Sequence, residues 1–397
     1  MKKIGVVGLH SIDNMGDRLI CETTRYILDD VTTDLEVTKI DAAPRGLSSY
    51  SGLQKARFLL SALFIRASFF ASPRSKPCSN TRYRIESWAW RLKLHQYFNE
   101  ALADCDAVIF AGGGFLKFRT QGLNYIVEQV VEICERKGLP VMLSAVGIEG
   151  YDRDDHRCLK LKQALQSGCI RAITTRDYLE ILQEQYEIPE STRTCLVGDP
   201  AFWATDCYGI RKNPSSNKVG INLIRSDIFR HYGNRLSAAS LKTFYLELIT
   251  ILDQQGTDWF LFSNGMGVDH DFGLELIKTL GAGKERLLPP PRTACELMQI
   301  IAEFRVILGA RMHACISAYA LDIPVAGLIW NEKLSRFAES TDQRDMFLTE
   351  DELSAETIGR LLLEPSGAGY DETLRRELRQ RTQDEIVGFL KTVDALK

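Results

Sequence analysis

Short apolar runs alternate along this chain with longer stretches in which apolar residues recur three and four positions apart. The first pattern marks buried strands and the second marks helices packed on them. Ile4–Leu9, Leu35–Ile40, Asp106–Ala111, Pro140–Val146, Ile170–Thr174 and Cys195–Val197 read as strands. Helices are expected at Arg18–Leu28, Asn124–Lys137 and Asp154–Gln166, and from Arg176-Asp177 to Tyr186. A second series starts at Lys218 with VGINLI, followed by a helix near Leu241–Gln254, WFLFSNG and a helix near Asp271–Leu280. It continues with a helix at Thr293–Glu303, a strand at Val306–Leu308, a helix at Arg311–Leu321, a strand at Val325–Trp330 and a short helix at Glu332–Ala338. Asp351–Leu363 and Asp371–Leu396 close the chain as helices.

Strands that are apolar along their whole length, separated by helices, belong in parallel sheets covered on both faces. The pattern therefore predicts an α/β protein of two Rossmann-like, doubly wound domains facing each other across a cleft. The first spans 1–207. YGIRKNPSSN at 208–217 has the composition of a linker. The second spans 218–397 and carries the terminal helices. The 397 residues suffice for two such cores.

Composition changes this picture in one place. A net charge of −3 gives no overall reason to expect a nucleic-acid partner. The segment 45–98, however, holds ten Lys/Arg and a single acid, Glu86. It also contains FLLSALFIRASFF and IESWAWRLKLHQYF. Arginine interleaved with Phe, Leu and Trp suits a peripheral contact with a membrane or a lipid-linked substrate. It equally suits an insertion that packs its aromatics and solvates its arginines. The ten cysteines form no metal-type spacing and read as reduced, mostly buried thiols of a cytoplasmic protein. The N-terminal apolar run is only strand-length, so it reads as a first strand and not as a signal peptide. No metal cluster is expected.

Candidate chemistry collects at LGARMHACISAYALDIPVAGLIWNEKLSRF, residues 308–337. Gly309 stands where a strand turns into a helix. Arg311 offers a planar cation suited to phosphate or carboxylate, and the helix start adds unpaired N–H groups. His313 can move a proton near neutral pH. Lys333 follows the neighbouring strand on the same edge. Together they suggest an anionic substrate and proton transfer, although a histidine in an apolar helix is often only a hydrogen-bonded core residue. Asn14, Gly16 and Asp17 lie in the loop after the first strand, and Gly112-Gly113-Gly114 at a later strand exit lets backbone approach a ligand. Arg176 marks another strand-to-helix junction. No GxGxxG fingerprint is present, so a nicotinamide oxidoreductase is a distant reading.

Asn14-Met15-Gly16-Asp17, Gly112-Gly113-Gly114, Arg176-Asp177, Gly198-Asp199-Pro200 and RMHACISA at 311–318 with Lys333 beyond it occur in an order and spacing that resemble the polysaccharide pyruvyl transferases. The resemblance spans nearly the whole chain. It implies a glycosyltransferase-B-like fold and transfer of the pyruvyl group of phosphoenolpyruvate to two hydroxyls of one sugar. The product would be a cyclic ketal on a cell-surface or exported polysaccharide precursor. No cofactor is implied, since phosphoenolpyruvate is itself the donor. His313 would serve as acid and base, with Arg311, Arg176 and Lys333 binding the donor's two anionic groups. Asn14, Gly16, Asp17 and Gly112–Gly114 would lie on the acceptor side. The chain departs from the family pattern after Gly147, at Leu179, and across 45–98. The rival readings are a sugar-nucleotide-dependent glycosyltransferase on the same fold and a non-catalytic relative that binds glycan or membrane.

Overall fold

A computed structural model describes residues 1–44, 77–119, 121–365 and 370–396, with a few positions between 56 and 65. Most of the segment 45–76, including FLLSALFIRASFF in large part, lies outside the described residues. IESWAWRLKLHQYF is helical, within the helix Asn80–Ala101.

The chain forms two compact units, one of Met1–Ser11, Thr24–Asp199 and Gln380–Lys397, the other of Ile12–Thr23 and Pro200–Arg379. The first contains a six-stranded sheet of β1 (Lys2–Gly8), β2 (Leu35–Asp41), β3 (Ala107–Ala111), β4 (Val141–Val146), β5 (Ile170–Thr175) and β6 (Arg193–Leu196). All its strand pairs are parallel, in the order β2-β1-β3-β4-β5-β6. The interior strands β3 and β4 are buried at every position, as their unbroken apolar runs require. Helices such as Leu123–Lys137, with Val127, Val130, Val131 and Cys134 buried, supply the core of this unit.

The second unit contains β7 (Val219–Asn222), β8 (Trp259–Phe262), β9 (Val306–Gly309), β10 (Val325–Leu328) and β11 (Phe347–Leu348) in the order β11-β10-β9-β7-β8, again parallel. Its core joins Ile221, Leu261, Ile307, Leu308 and Val325 with helical residues such as Leu248, Leu276 and Ile316. In each sheet the chain reverses its winding direction once. The reversal falls between β1 and β3 in the first unit and between β7 and β9 in the second. Loops leaving the carboxyl ends of the strands part there and leave room for ligand.

The fold is therefore two Rossmann-like sheets, as the periodicity predicts, but the boundaries differ from those expected. Residues 12–23 join the second unit. Met15 and Leu19 enter its core, the Met15 N–H donates to the Asn264 carbonyl at 3.0 Å, and Arg18 Nη1 donates to the Arg292 carbonyl at 2.9 Å. The linker-like stretch 208–217 is packed: the Asn213 N–H donates to the Ala302 carbonyl and Ser216 Oγ to the Glu303 carbonyl. The helix expected to open at Arg176-Asp177 is also displaced. Asp177 spends its N–H on Thr175 Oγ1 and its carboxylate on the Ile148 N–H, and helical structure starts at residue 179 and runs through the π-helical turn Ile181–Gln185. The edge strand β11 spans two residues, too few for a periodic signal.

Candidate functional site

In the second unit the reversal point is built from Asn222 at the end of β7 and from polar residues just beyond β8 and β9. Asn222, the last residue of β7, is fully buried. Its Oδ1 accepts the Arg311 N–H at 2.9 Å and its Nδ2 donates to Asn264 Oδ1 at 3.0 Å, so one amide ties together the exits of three strands. Arg311 stands at the N-cap of the helix Met312–Ala320 and holds its side chain against Asp269. Nε donates to Asp269 Oδ2 at 2.9 Å and Nη2 to Oδ1 at 2.7 Å. Asp269 is fully buried in the first turn of the helix Gly267–Leu280 and also accepts the Arg225 N–H. A buried carboxylate needs such partners, and in return it fixes the plane of the guanidinium. Arg311 is thus a pre-set cation at the sheet edge.

His313 is the second residue of that helix and is 7% exposed. The loop from residue 12 leads into the helix Met15–Val31, whose second residue, Gly16, crosses the His313 ring. A Cβ at Gly16 would lie 2.4 Å from His313 Cβ and 2.5 Å from Nδ1, so no side chain fits. Asn14 and Asp17 shape this loop. Asn14 Oδ1 accepts the Gly16 N–H and Nδ2 donates to Asp17 Oδ2 at 2.8 Å, which starts the helix Met15–Val31. The same unit positions Lys333 as the second residue of the helix Glu332–Ser340, after β10. Trp330 Nε1 donates to the Ala310 carbonyl at 2.7 Å and binds the β10 exit to the β9 exit. At Gly309 a Cβ would lie 2.4 Å from Cys315 Sγ and 2.9 Å from Val325, so the packing around β9 requires glycine there.

Asn14, Gly16, Asp17, Gly309, Arg311, His313 and Lys333 therefore share the second unit, and the placement of the first three on an acceptor-side domain is corrected. Gly112–Gly114 and Arg176 belong to the first. Gly112 and Gly113 have φ of 53° and 71°, a left-handed turn at the exit of β3 beside that sheet's reversal point. The Gly112 N–H donates to the Ser144 carbonyl, and the Gly113 carbonyl accepts the Gly147 N–H. Arg176 forms a buried ion pair with Asp199, which joins the exit of β5 to the chain after β6. That pair gives Arg176 a structural partner.

The sequence reading missed Asn222, Asn264 and Asp269. The available signal was a polar residue ending an apolar strand, in INLI and in FSNG. Among the described residues no group of three or more His, Cys, Asp or Glu could hold a metal ion. The ten cysteines are free thiols, and most are buried.

The family model described as polysaccharide pyruvyl transferase matches residues 14–332. No curated protein matches the chain. Among solved structures, MnaA of S. aureus with UDP aligns with a TM-score of 0.56 at 11% identity, covering 100% of this chain and 98% of that one. The UDP-GlcNAc 2-epimerase of Neisseria meningitidis bound to UDP-GlcNAc gives 0.56 at 14% identity, covering 99% and 100%. A putative UDP-N-acetylglucosamine 2-epimerase of Listeria monocytogenes gives 0.57 at 11%, covering 99% and 96%. These likenesses show a shared glycosyltransferase-B-like fold.

Proposed function

The chain belongs to the polysaccharide pyruvyl transferase family, and from that premise we propose that it moves the pyruvyl group of phosphoenolpyruvate onto two hydroxyls of a sugar. The sugar belongs to a cell-surface or exported polysaccharide precursor. In the first step a proton passes to the methylene carbon of the donor and makes C2 electrophilic. A sugar hydroxyl adds there, phosphate departs, and a second hydroxyl closes the ketal. One hydroxyl proton ends on the new methyl group and the other on phosphate. His313 is the acid and base. Arg311, with Lys333, neutralises the donor's anionic groups and the departing phosphate. Arg176, paired to Asp199 in the first unit, is kept as a proposed anion-binding residue. Gly112–Gly114 provide backbone for the acceptor.

The observation that carries this reading is Arg311, fixed by Asp269 and Asn222 two residues before His313 at the reversal point of the sheet. A sugar-nucleotide transferase is the second reading, favoured by the UDP and UDP-GlcNAc named for the structural relatives. Thermal unfolding with phosphoenolpyruvate, UDP, GDP or phosphate separates the two. A ligand at a hundred times its Kd stabilises the native state by about 2.7 kcal/mol. We expect a rise in Tm with phosphoenolpyruvate that Arg311→Ala abolishes. A rise with UDP or GDP alone would replace the proposal by the second reading.

A further inference from the structure

The hydrogen bonds that hold Arg311 have a direction, and it leaves one donor over. The backbone N–H of Arg311 can only donate, so Asn222 must turn Oδ1 toward it. Asn222 Nδ2 then faces the other way and donates to the Phe262 carbonyl at 3.4 Å and to the Asn264 side chain at 3.0 Å. Asn264 must meet it with Oδ1, and its Nδ2 becomes the end of the relay. That nitrogen is buried, in a residue only 1% exposed, and no described residue accepts from it. A buried amide donor is rarely left without an acceptor, because it has lost its hydrogen bonds to water.

Asn264 also stands in the right place. It lies two residues beyond β8, and its carbonyl accepts the Met15 N–H at 3.0 Å. The residue after Met15 in the helix Met15–Val31 is Gly16, which packs on His313. Asn264 is therefore joined to Arg311 through Asn222 and to the His313 ring through Met15-Gly16.

We propose that Asn264 is a substrate-binding residue whose Nδ2 donates to an anionic oxygen of the donor substrate. The inference rests on phosphoenolpyruvate being that donor. Phosphoryl and carboxylate oxygens share the chemistry that a neutral, desolvated N–H favours. The relay holds Asn264 in the donor orientation before substrate arrives, so the amide would not have to rotate on binding.

Asn264→Asp tests this with little disturbance. One carboxylate oxygen can still accept from Asn222 Nδ2, while the donor becomes a negative acceptor. Titration calorimetry with phosphoenolpyruvate should show binding weakened at least about tenfold, the value of a charge-assisted hydrogen bond. The same comparison with inorganic phosphate and with pyruvate assigns the contact: loss with phosphate places it on the phosphoryl group, loss with pyruvate on the carboxylate. If Asn264→Asp melts well below the wild type, the near-isosteric, neutral Asn264→Leu carries the comparison. Phosphoenolpyruvate affinity within twofold of wild type in the folded variant overturns the inference and leaves the proposed function standing. A wild-type protein that does not bind phosphoenolpyruvate overturns both.

Discussion

Gly16 shows how much one missing Cβ can decide. The notional Cβ falls within 2.5 Å of three His313 atoms, and a buried imidazole at a helix start has little freedom to yield. Gly16→Ala should therefore shift the ring or the loop by a few tenths of an ångström or more. A displaced catalytic group costs rate out of proportion to the distance. We expect pyruvyl transfer, followed as phosphate release, to fall by about two orders of magnitude. The stability cost should be that of an overpacked site, roughly 1–3 kcal/mol. Gly168→Ala is the control, because nothing lies within 4 Å of a Cβ there and its φ is not positive. Equal rates for the two variants would separate Gly16 from the chemistry. Gly16 was legible in the sequence as part of a polar turn. Its partner was not, because 297 residues separate it from His313 and no local pattern encodes that contact.

At the scale of elements, the strands were the most readable part of the chain, since burial on both faces demands an unbroken apolar run. The helices were harder where polar contacts overrode periodicity, as at Asp177. One helix pair hides a titratable group that periodicity does not reveal. Glu128 on Leu123–Lys137 accepts from Tyr83 on Asn80–Ala101 and from Asn124 Nδ2 at 3.0 Å. Burial pushes its carboxyl up to about 7, against the pull of those two hydrogen bonds. Between the ordinary carboxylate value of 4.5 and about 7, the folded chain keeps a proton that the unfolded chain has released. Stability from this group is therefore full below that window and lost as pH rises through it, by at most about 3 kcal/mol. Glu128→Gln mimics the protonated form. Its Tm relative to wild type should climb between pH 5 and pH 8, and a constant difference would show that Glu128 stays ionised in the fold.

At the scale of the whole molecule, the two-sheet architecture followed from the order of elements, whereas the unit boundaries did not. Residues 12–23 and 380–397 belong to units other than those their sequence neighbours suggest, because long-range packing and not local composition places them. Charge is distributed just as unevenly. Ten basic residues less one acid give the segment 45–98 a charge of +9, so a total of −3 leaves −12 on the rest. Within the described residues the same region exposes Leu59, Leu60 and Leu63 by 63%, 55% and 68%, and Ile85 and Trp88 by 49% and 52%. Those five are most of the large apolar side chains exposed among the described residues. Ser61 is buried and Ile65 packs against the first unit's core, so this stretch turns one face inward while its leucines face out. Among the described residues no helix is long and apolar enough to cross a membrane. Exposed apolar side chains amid excess positive charge instead match an anionic bilayer surface, where each basic residue adds about 1 kcal/mol and each buried large apolar side chain roughly 1.5–3 kcal/mol. Co-sedimentation should therefore recover the protein on vesicles of mixed phosphatidylglycerol and phosphatidylcholine, not on phosphatidylcholine alone. Replacing Ile85 and Trp88 together by serine should weaken recovery at least about tenfold. Added salt should weaken it as well, because the charge contribution is screened. Equal recovery on both vesicles would remove the electrostatic part of the argument. A vesicle-independent dimer lost in the same double variant would assign the apolar face to a second copy of the chain.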